Sequence, residues 1–193
     1  KPDFLNAHFN LGLVYQNLQD NKKAIESFEK AIKLKPDFHQ AIGAMGSALQ
    51  AQGELDEAIE HYKKALNIQP DARNHFNLGA GLRTKGSLDE AIEQFEKSLS
   101  FDKENPETLT SLGDALWHKK GEADKAIEKF DEALKIDPNH SQANYNLGVF
   151  LSVNNKLGEA FIHFERSKIY DWQERALYCL YKTEQYKKFK EEL

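Results

Sequence analysis

The sequence has few of the features that crosslink a protein, insert it in a membrane or target it. Cys179 is the single cysteine among 193 residues, which excludes an internal disulfide and a zinc site built from cysteines. No run of about 18 apolar residues occurs, so we expect no membrane insertion. The first residues, KPDFLNAHFN, form neither a signal peptide nor a start at methionine. We therefore expect part of a longer protein, located in the cytoplasm.

Excess positive charge is also missing. The chain has 26 Lys and Arg against 31 Asp and Glu, a net charge of −5, whereas a protein that follows phosphates needs surplus cations. We therefore expect no nucleic-acid partner.

Catalytic motifs are missing as well. There is no HExxH, GxSxG or phosphate-binding loop, and no two of the seven histidines stand four apart on one predicted helix. Cys179 lies in an apolar run and is expected to be buried and inert. The sequence predicts no enzyme, no cofactor and no metal site.

The few glycines are regularly placed, and other columns share their register. Glycines that follow an apolar residue recur every 33 to 35 residues, which is the period of a helical repeat. An alanine column has the same spacing, and a large aromatic residue stands four residues after each alanine. The glycines are Gly12, Gly46, Gly79, Gly113 and Gly148. The alanines are Ala24, Ala58, Ala91, Ala126 and Ala160, and the aromatics are Phe28, Tyr62, Phe95, Phe130 and Phe164. We expect the small residues to let two helices approach and the aromatic to fill the space between them.

Each repeat predicts two amphipathic helices with apolar residues at helical spacing. Second helices should end at the prolines that share one register, because proline lacks an N–H and restricts its neighbour. These are Pro36, Pro70 and Pro138. We expect Ser87 to cap a second helix, Asp37 and Asn139 to cap first helices, and Asp171 and Thr183 to begin two terminal helices.

These columns resemble the tetratricopeptide repeat (TPR). The best-matching copy reads Leu11-Gly12, Tyr15, Ala24, Phe28, Ala31 and Pro36. The resemblance implies an all-α, right-handed α-solenoid of helix–turn–helix repeats, in which each repeat is stabilised by stacking on the next. It predicts five repeats in residues 1–170 and a degenerate sixth repeat or capping helices in 171–193. The repeats are expected at about residues 3–36, 37–70, 71–103, 104–138 and 139–170.

One stripe on the first helices is expected to line the concave side of the solenoid. It carries amides, hydroxyls and aromatics with few charges, unlike the Glu- and Lys-rich second helices. A side-chain amide both donates and accepts, so it can pair with the backbone of an extended peptide. The candidate residues are Asn6, Phe9, Asn10, Arg73, Phe76, Asn77, Ser111, Asp114, Trp117, Tyr145 and Asn146. Arg73 beside Asn77 suggests acidic character in the ligand near the third repeat, and Glu107 and Asp114 suggest basic character further along.

Two family comparisons bear on this stripe. Asn10, Asn77 and Asn146 resemble the asparagine ladder in the TPR superhelix of O-linked N-acetylglucosamine transferase, but Ala44 and Ser111 interrupt it. Chaperone-binding TPR domains hold a C-terminal carboxylate with lysines, asparagines and an arginine. No cationic clamp of that kind is assembled here, so a chaperone-tail receptor is not expected.

The sequence therefore predicts a non-catalytic interaction module that binds an extended peptide in its groove. Three alternatives remain open. The asparagines could instead form hydrogen bonds within the superhelix, Phe9 or Phe76 could pack into the neighbouring repeat, and Trp117 could be a buried wedge. The repeat edges could drive self-association into a scaffold. The chain could be the substrate-docking region of a larger enzyme.

Overall fold

A computed structural model is all-helical over the residues that it describes, 2–169 and 171–191, with side chains described for 4–169 and 171–184. This part of the chain holds eleven α-helices and no strand. The chain divides into two compact units, residues 1–103 and 104–193. Within the described residues, no helix is long and apolar enough to cross a bilayer.

The first unit consists of three helix pairs. They are α1 (Pro2–Asn17) with α2 (Asn21–Leu34), α3 (His39–Gln52) with α4 (Leu55–Ile68), and α5 (Ala72–Lys85) with α6 (Leu88–Phe101). Each first helix packs against its own second helix, and each of α2 and α4 also packs against the first helix that follows. The first helices α1, α3 and α5 are therefore neighbours along one face of this unit.

The second unit continues the alternation with two pairs and a longer helix. They are α7 (Pro106–His118) with α8 (Ala123–Ile136), α9 (Ser141–Val153) with α10 (Leu157–Ser167), and α11 (Trp172–Glu191). The first helices α7 and α9 are in contact, and α11 packs against α10. The division of the chain into five repeats and a terminal segment remains a prediction.

The repeated columns form the core of each pair. All five alanines of the alanine column are fully buried, and the aromatics that follow them are at most 1% exposed. A Cβ atom placed on Gly79 would lie 2.8 Å from Cε1 of Phe95, and one on Gly113 would lie 2.7 Å from Cε1 of Phe130. Those distances leave no room for a side chain, so the expected packing reason for the glycine column is confirmed.

The helix ends agree with the prolines but only partly with the expected caps. Helices α2, α4 and α8 each end two residues before a proline, with an extended residue between. Ser87 takes the N-cap position of α6, but its side chain makes no capping hydrogen bond. The expected cap at Asp37 is wrong, since α3 begins after Phe38. The expected cap at Asn139 is also wrong, because the His140 ring accepts the N–H of Ala143 at the start of α9.

The C-terminal segment differs from expectation in one respect. The expected helix start at Thr183 is wrong, because α11 runs without a break through this position. The Thr183 hydroxyl donates to the carbonyl oxygen of Cys179 at 2.7 Å, one turn earlier, so it does not cap a new helix. Helical bonding does begin at Asp171, whose carbonyl accepts the Arg175 N–H. Cys179 is 1% exposed, as expected.

Candidate functional site

A cavity of about 390 Å³ lies among the first helices of the first unit. Leu13 and Ala44 supply apolar surface, and the other lining side chains are polar or charged. Those side chains are Gln16, His39, Gln40, Ser47, Asp71, Arg73, Asn74 and Asn77. Of the residues predicted to form a groove, Arg73 and Asn77 line this cavity.

Asn77 is held in the cavity by a short chain of hydrogen bonds. Its Nδ2 donates to Ser47 Oγ on α3 at 3.2 Å, and Ser47 Oγ donates to the carbonyl oxygen of Gly43. The Tyr62 hydroxyl lies 3.3 Å from Ser47 Oγ and donates to Gln50 Oε1 at 3.0 Å. Burial raises the pKa of Tyr62, which favours the protonated phenol that this donation needs. The bond to Ser47 uses one of the two amide N–H groups of Asn77. The second N–H and the amide oxygen take no part in the hydrogen bonds just described.

Two side chains of opposite charge, Arg73 and Asp71, line this cavity. Asp71 Oδ1 accepts the Asn74 backbone N–H and its Oδ2 accepts Asn74 Nδ2, both at 2.7 Å. Asp71 is therefore engaged as the N-cap of α5. Arg73 is exposed. Buried Asn74 fills the space that a side chain on Gly43 would need, which explains why repeat two has glycine where repeats one and three have phenylalanine.

The other groove candidates of the first unit lie outside the cavity lining. Asn6 and Asn10 are exposed on α1. Phe9 is half-buried, with its ring centroid 6.0 Å from that of Phe28. Phe76 is also half-buried and lies 5.8 Å from Phe95, centroid to centroid. The Phe9 ring also lies 5.0 Å from that of Phe38 at the start of the next predicted repeat, centroid to centroid, whereas the contact of Phe76 with Phe95 is within its own repeat.

A smaller cavity of about 170 Å³ lies between α7 and α9 in the second unit. Four predicted residues come together there with two others: Asp114, Trp117, His118, Tyr145, Asn146 and Val149. Ser111 is half-buried on α7, one turn before Asp114, and is outside this lining.

The aromatic side chains of Trp117 and Tyr145 in this cavity contact residues that lie outside the cavity lining. The Trp117 ring meets Phe150 edge-on, with centroids 5.2 Å apart. The Tyr145 hydroxyl donates to Asp171 Oδ2 at 3.1 Å, and the Arg175 guanidinium lies 5.2 Å from the Tyr145 ring centroid. Burial is the main cause that raises the pKa of Tyr145, so the phenol stays neutral.

The polar groups of this cavity are unequally satisfied. Asn146 Oδ1 accepts a hydrogen bond from Gln142 Nε2 at 2.9 Å. Asn146 Nδ2 is buried and has no acceptor within the described part of the chain. A carboxylate oxygen of Asp114 lies 3.7 Å from His118 Nε2.

Several cavity residues were not among the predicted site residues. Gln40 and Ser47 belong to the same helical stripe and could have been added on spacing alone. Gln16, His39 and Asn74 could not, because their positions depend on how α1, α3 and α5 pack together. Among the described residues, no three His, Cys, Asp or Glu side chains are grouped to hold a metal ion.

Comparison with known proteins decides the family. Two family models described as tetratricopeptide repeat match residues 5–38 and 37–104, and one described as TPR repeat matches 118–152. The chain belongs to the tetratricopeptide repeat family. The expected all-α fold of helix–turn–helix repeats is thereby confirmed, and this TPR chain is a protein-interaction module.

Solved structures share the fold at low sequence identity. A structure of pilF from Pseudomonas aeruginosa has a TM-score of 0.79 at 19% identity and covers 100% of this chain and 99% of its own. MamA from Desulfovibrio magneticus RS-1 gives a TM-score of 0.73 at 19% identity, covering 86% and 93%. YrrB, described as a TPR protein with an unusual peptide-binding site, gives 0.68 at 20% identity, covering 92% and 90%. No curated protein matches this TPR chain by sequence.

Proposed function

We propose that this TPR chain binds an extended peptide segment of a partner protein on the faces formed by its first helices, without catalysis. The observation that carries the proposal is the cavity among α1, α3 and α5, where amide, hydroxyl and charged side chains line one space together with the apolar Leu13 and Ala44. Ligand sites commonly combine apolar surface with a few converging polar groups. YrrB, which shares this fold, is described as having a peptide-binding site, and that likeness supports the proposal by analogy.

The chemistry of the cavity suits a peptide backbone. A strand-like peptide presents N–H and C=O groups alternately, and an amide side chain can satisfy either. Asn77 is pre-oriented by Ser47, so less conformational entropy is lost when a ligand binds. Leu13 and Ala44 accept an apolar side chain, and Arg73 favours an acidic one beside it.

Selection of random peptides on the immobilised full chain tests this function. We expect the peptides that are enriched to bind the Asn77→Ala variant about 5- to 30-fold more weakly, the effect of losing one well-placed hydrogen bond of about 1–2 kcal/mol. The matched control is Asn67→Ala, which removes an exposed asparagine from the second helix α4. Circular dichroism checks that both variants remain helical. Equal binding to the two variants, or no enriched peptide, would remove the proposal.

A second candidate function is self-association through the edge formed by α1. One face of α1 and the turn after it carries four exposed apolar side chains, Phe4, Leu11, Val14 and Leu18, with exposed fractions of 55, 42, 51 and 70%. The corresponding residues of α3, Met45 and Ala48, pack against Ala24 and Phe28 of α2. The α1 face thus has the pattern of a surface that another second helix covers, and α11 of a second copy offers exposed Leu177 and Tyr181.

Sedimentation velocity over a wide concentration range tests this candidate. A mass that rises with concentration in the wild type, and stays monomeric in Leu11→Glu, would support it. A wild-type chain that remains a monomer at the highest concentration would exclude it. Peptide binding and self-association use different surfaces, so one result does not decide the other.

A further inference from the structure

The first helices of the second unit have an acidic face. Helices α7 and α9 contain no lysine or arginine, and their two carboxylates are Glu107 and Asp114. Glu107, Ser111 and Asp114 follow one another at helical spacing on α7, so the carboxylates share one face. The cavity of the first unit differs, because the opposite charges of Arg73 and Asp71 both lie in its lining.

Asp114 is the carboxylate of this acidic face that lines the cavity between α7 and α9. Its side chain is 27% exposed, whereas that of its neighbour His118 is 63% exposed. A half-buried carboxylate is less screened by water and salt than one on the open surface. It therefore interacts more strongly with a cation that enters the cavity.

The walls of the cavity are suited to a cation as well. Trp117 and Tyr145 line it, and aromatic faces attract guanidinium and ammonium groups. Tyr145 already interacts with one cation, because the Arg175 guanidinium lies 5.2 Å from its ring centroid. Arg175 is not among the residues that line the cavity. Because both rings are packed against other aromatics, they need not rearrange to receive a ligand.

Asn146 supplies an unsatisfied donor beside the acid. Its Nδ2 is buried and has no acceptor within the described residues, while its oxygen is already bound by Gln142. A buried donor without a partner costs free energy. A peptide carbonyl next to a basic side chain would remove that cost.

We propose that the cavity formed by Asp114, Trp117, Tyr145 and Asn146 holds the basic side chain, arginine or lysine, of the bound peptide, and that Asn146 donates to a carbonyl of the same peptide. The inference rests on the proposed peptide-binding function and adds the side chain that the second unit selects. The volume of about 170 Å³ exceeds the roughly 30 Å³ taken by one water in the liquid, so it has room for a charged head group. An anionic ligand would face Asp114 at close range and Glu107 further along α7, and is disfavoured.

The test uses the tightest-binding peptide from the selection in two forms, with glutamine in place of its basic residue in one of them. Trp117 fluorescence in a Trp172→Phe background of the full chain reports occupancy of the cavity. We expect the basic form to bind at least about tenfold more tightly than the glutamine form, and this ratio to fall with added salt. Asp114→Asn should bring the ratio close to one without weakening the glutamine form. The matched control Glu128→Gln, on the second helix α8 and outside the cavity lining, should leave the ratio unchanged.

The other possible results overturn either the inference alone or the proposed function with it. A ratio near one in the wild type, an unchanged ratio in Asp114→Asn, or selected peptides without enriched arginine or lysine would overturn the inference. Any of these, together with affinity that still depends on Asn77, would leave the proposed function standing. If no peptide is selected at all, both proposals fail.

Discussion

A Cβ atom on Gly113 would lie 2.7 Å from Cε1 of Phe130, the aromatic residue that fills the centre of the pair α7 and α8. Phe130 itself is fully buried. The helices of a pair can approach only because one of them lacks a side chain at this point. The relationship recurs at Gly46, Gly79 and Gly148, so it describes the repeat itself.

Gly113→Ala should therefore lower the free energy of unfolding by about 1–3 kcal/mol, the usual cost of forcing an extra methyl group into a packed core. Urea unfolding followed by far-UV circular dichroism measures the change. The control is Gly158→Ala in α10, where a Cβ atom meets nothing within 4 Å. The control should be neutral or stabilising by up to about 1 kcal/mol. Equal effects at the two positions would contradict the packing argument.

Asn144 is a structural asparagine, in contrast to its neighbour Asn146. It is fully buried, its Nδ2 donates to the carbonyl oxygens of Pro138 and His140, and its Oδ1 accepts from His163 Nδ1 at 3.0 Å. Asn144→Leu leaves these partners unsatisfied and should cost about 1–3 kcal/mol of stability.

The control for Asn144→Leu is the variant Asn154→Ala. Asn154 donates to Phe150 at 2.9 Å from an exposed position, where water replaces the lost bond. Thermal unfolding of both variants should show the larger loss for Asn144→Leu. A larger loss for Asn154→Ala would be incompatible with the burial argument.

His163 should make stability depend on pH near neutrality. Burial lowers the pKa of His163, and Arg166 lowers it further. In the unfolded chain a histidine has a pKa near 6.5, so on acidification the unfolded state takes up a proton before the folded state does. The free energy of unfolding should therefore fall as the pH drops below about 6.5.

Urea midpoints at pH 7.5 and 5.5 measure this dependence. His163→Gln keeps a donor for Asn144 but does not titrate, so its midpoint should fall less between the two pH values. His118→Gln, which removes a largely exposed ring, should behave as the wild type does. Identical pH dependence in His163→Gln and wild type would show that His163 is not the group responsible.

The stability of the first turns of α11 should depend on the side chain of Asp171. Its Oδ2 accepts from Arg175 Nε at 2.5 Å and from the Tyr145 hydroxyl at 3.1 Å, and the bond from Arg175 is the main cause that lowers the pKa of Asp171. This contribution is present above the unfolded pKa of about 3.9 and is lost as the pH falls through the lower folded pKa. Asp171→Asn should therefore speed hydrogen exchange in the first turns of α11 at neutral pH, while Glu174→Gln, an exposed neighbour, should not. Equal exchange in the two variants would argue against this role.

Cys179 reports opening of the same helix. It is 1% exposed, and burial raises the pKa of its thiol, so little thiolate is available to a reagent. Thiol labelling at pH 8 should be at least about 100-fold slower in the folded chain than in urea. Because the chain has one cysteine, the rate is assigned without further variants. Rapid labelling of the folded chain would mean that α11 opens readily.

The sequence alone was sufficient to predict the helix pairs and their core. Gly113 and Phe130, or Gly79 and Phe95, lie in consecutive helices of one pair, and their contact follows from two helices joined by a short turn. Such contacts depend on periodicity and residue size, both of which can be read directly from the chain. The expected cap at Asn139 failed because the next residue, His140, caps α9 instead, and the one at Asp37 failed because α3 begins after Phe38 without a side-chain cap.

Only the tertiary structure decided which polar residues of the first helices are engaged. Asn77, Asn144 and Asn146 look alike in sequence, yet one binds Ser47 on another first helix, one is buried among carbonyls and a histidine, and one keeps an unpaired buried N–H among the described residues. These outcomes depend on the approach of helices from different parts of the chain, which local spacing does not specify. The pairs of helices are thus a property of the sequence pattern, whereas the cavities arise from the packing between pairs.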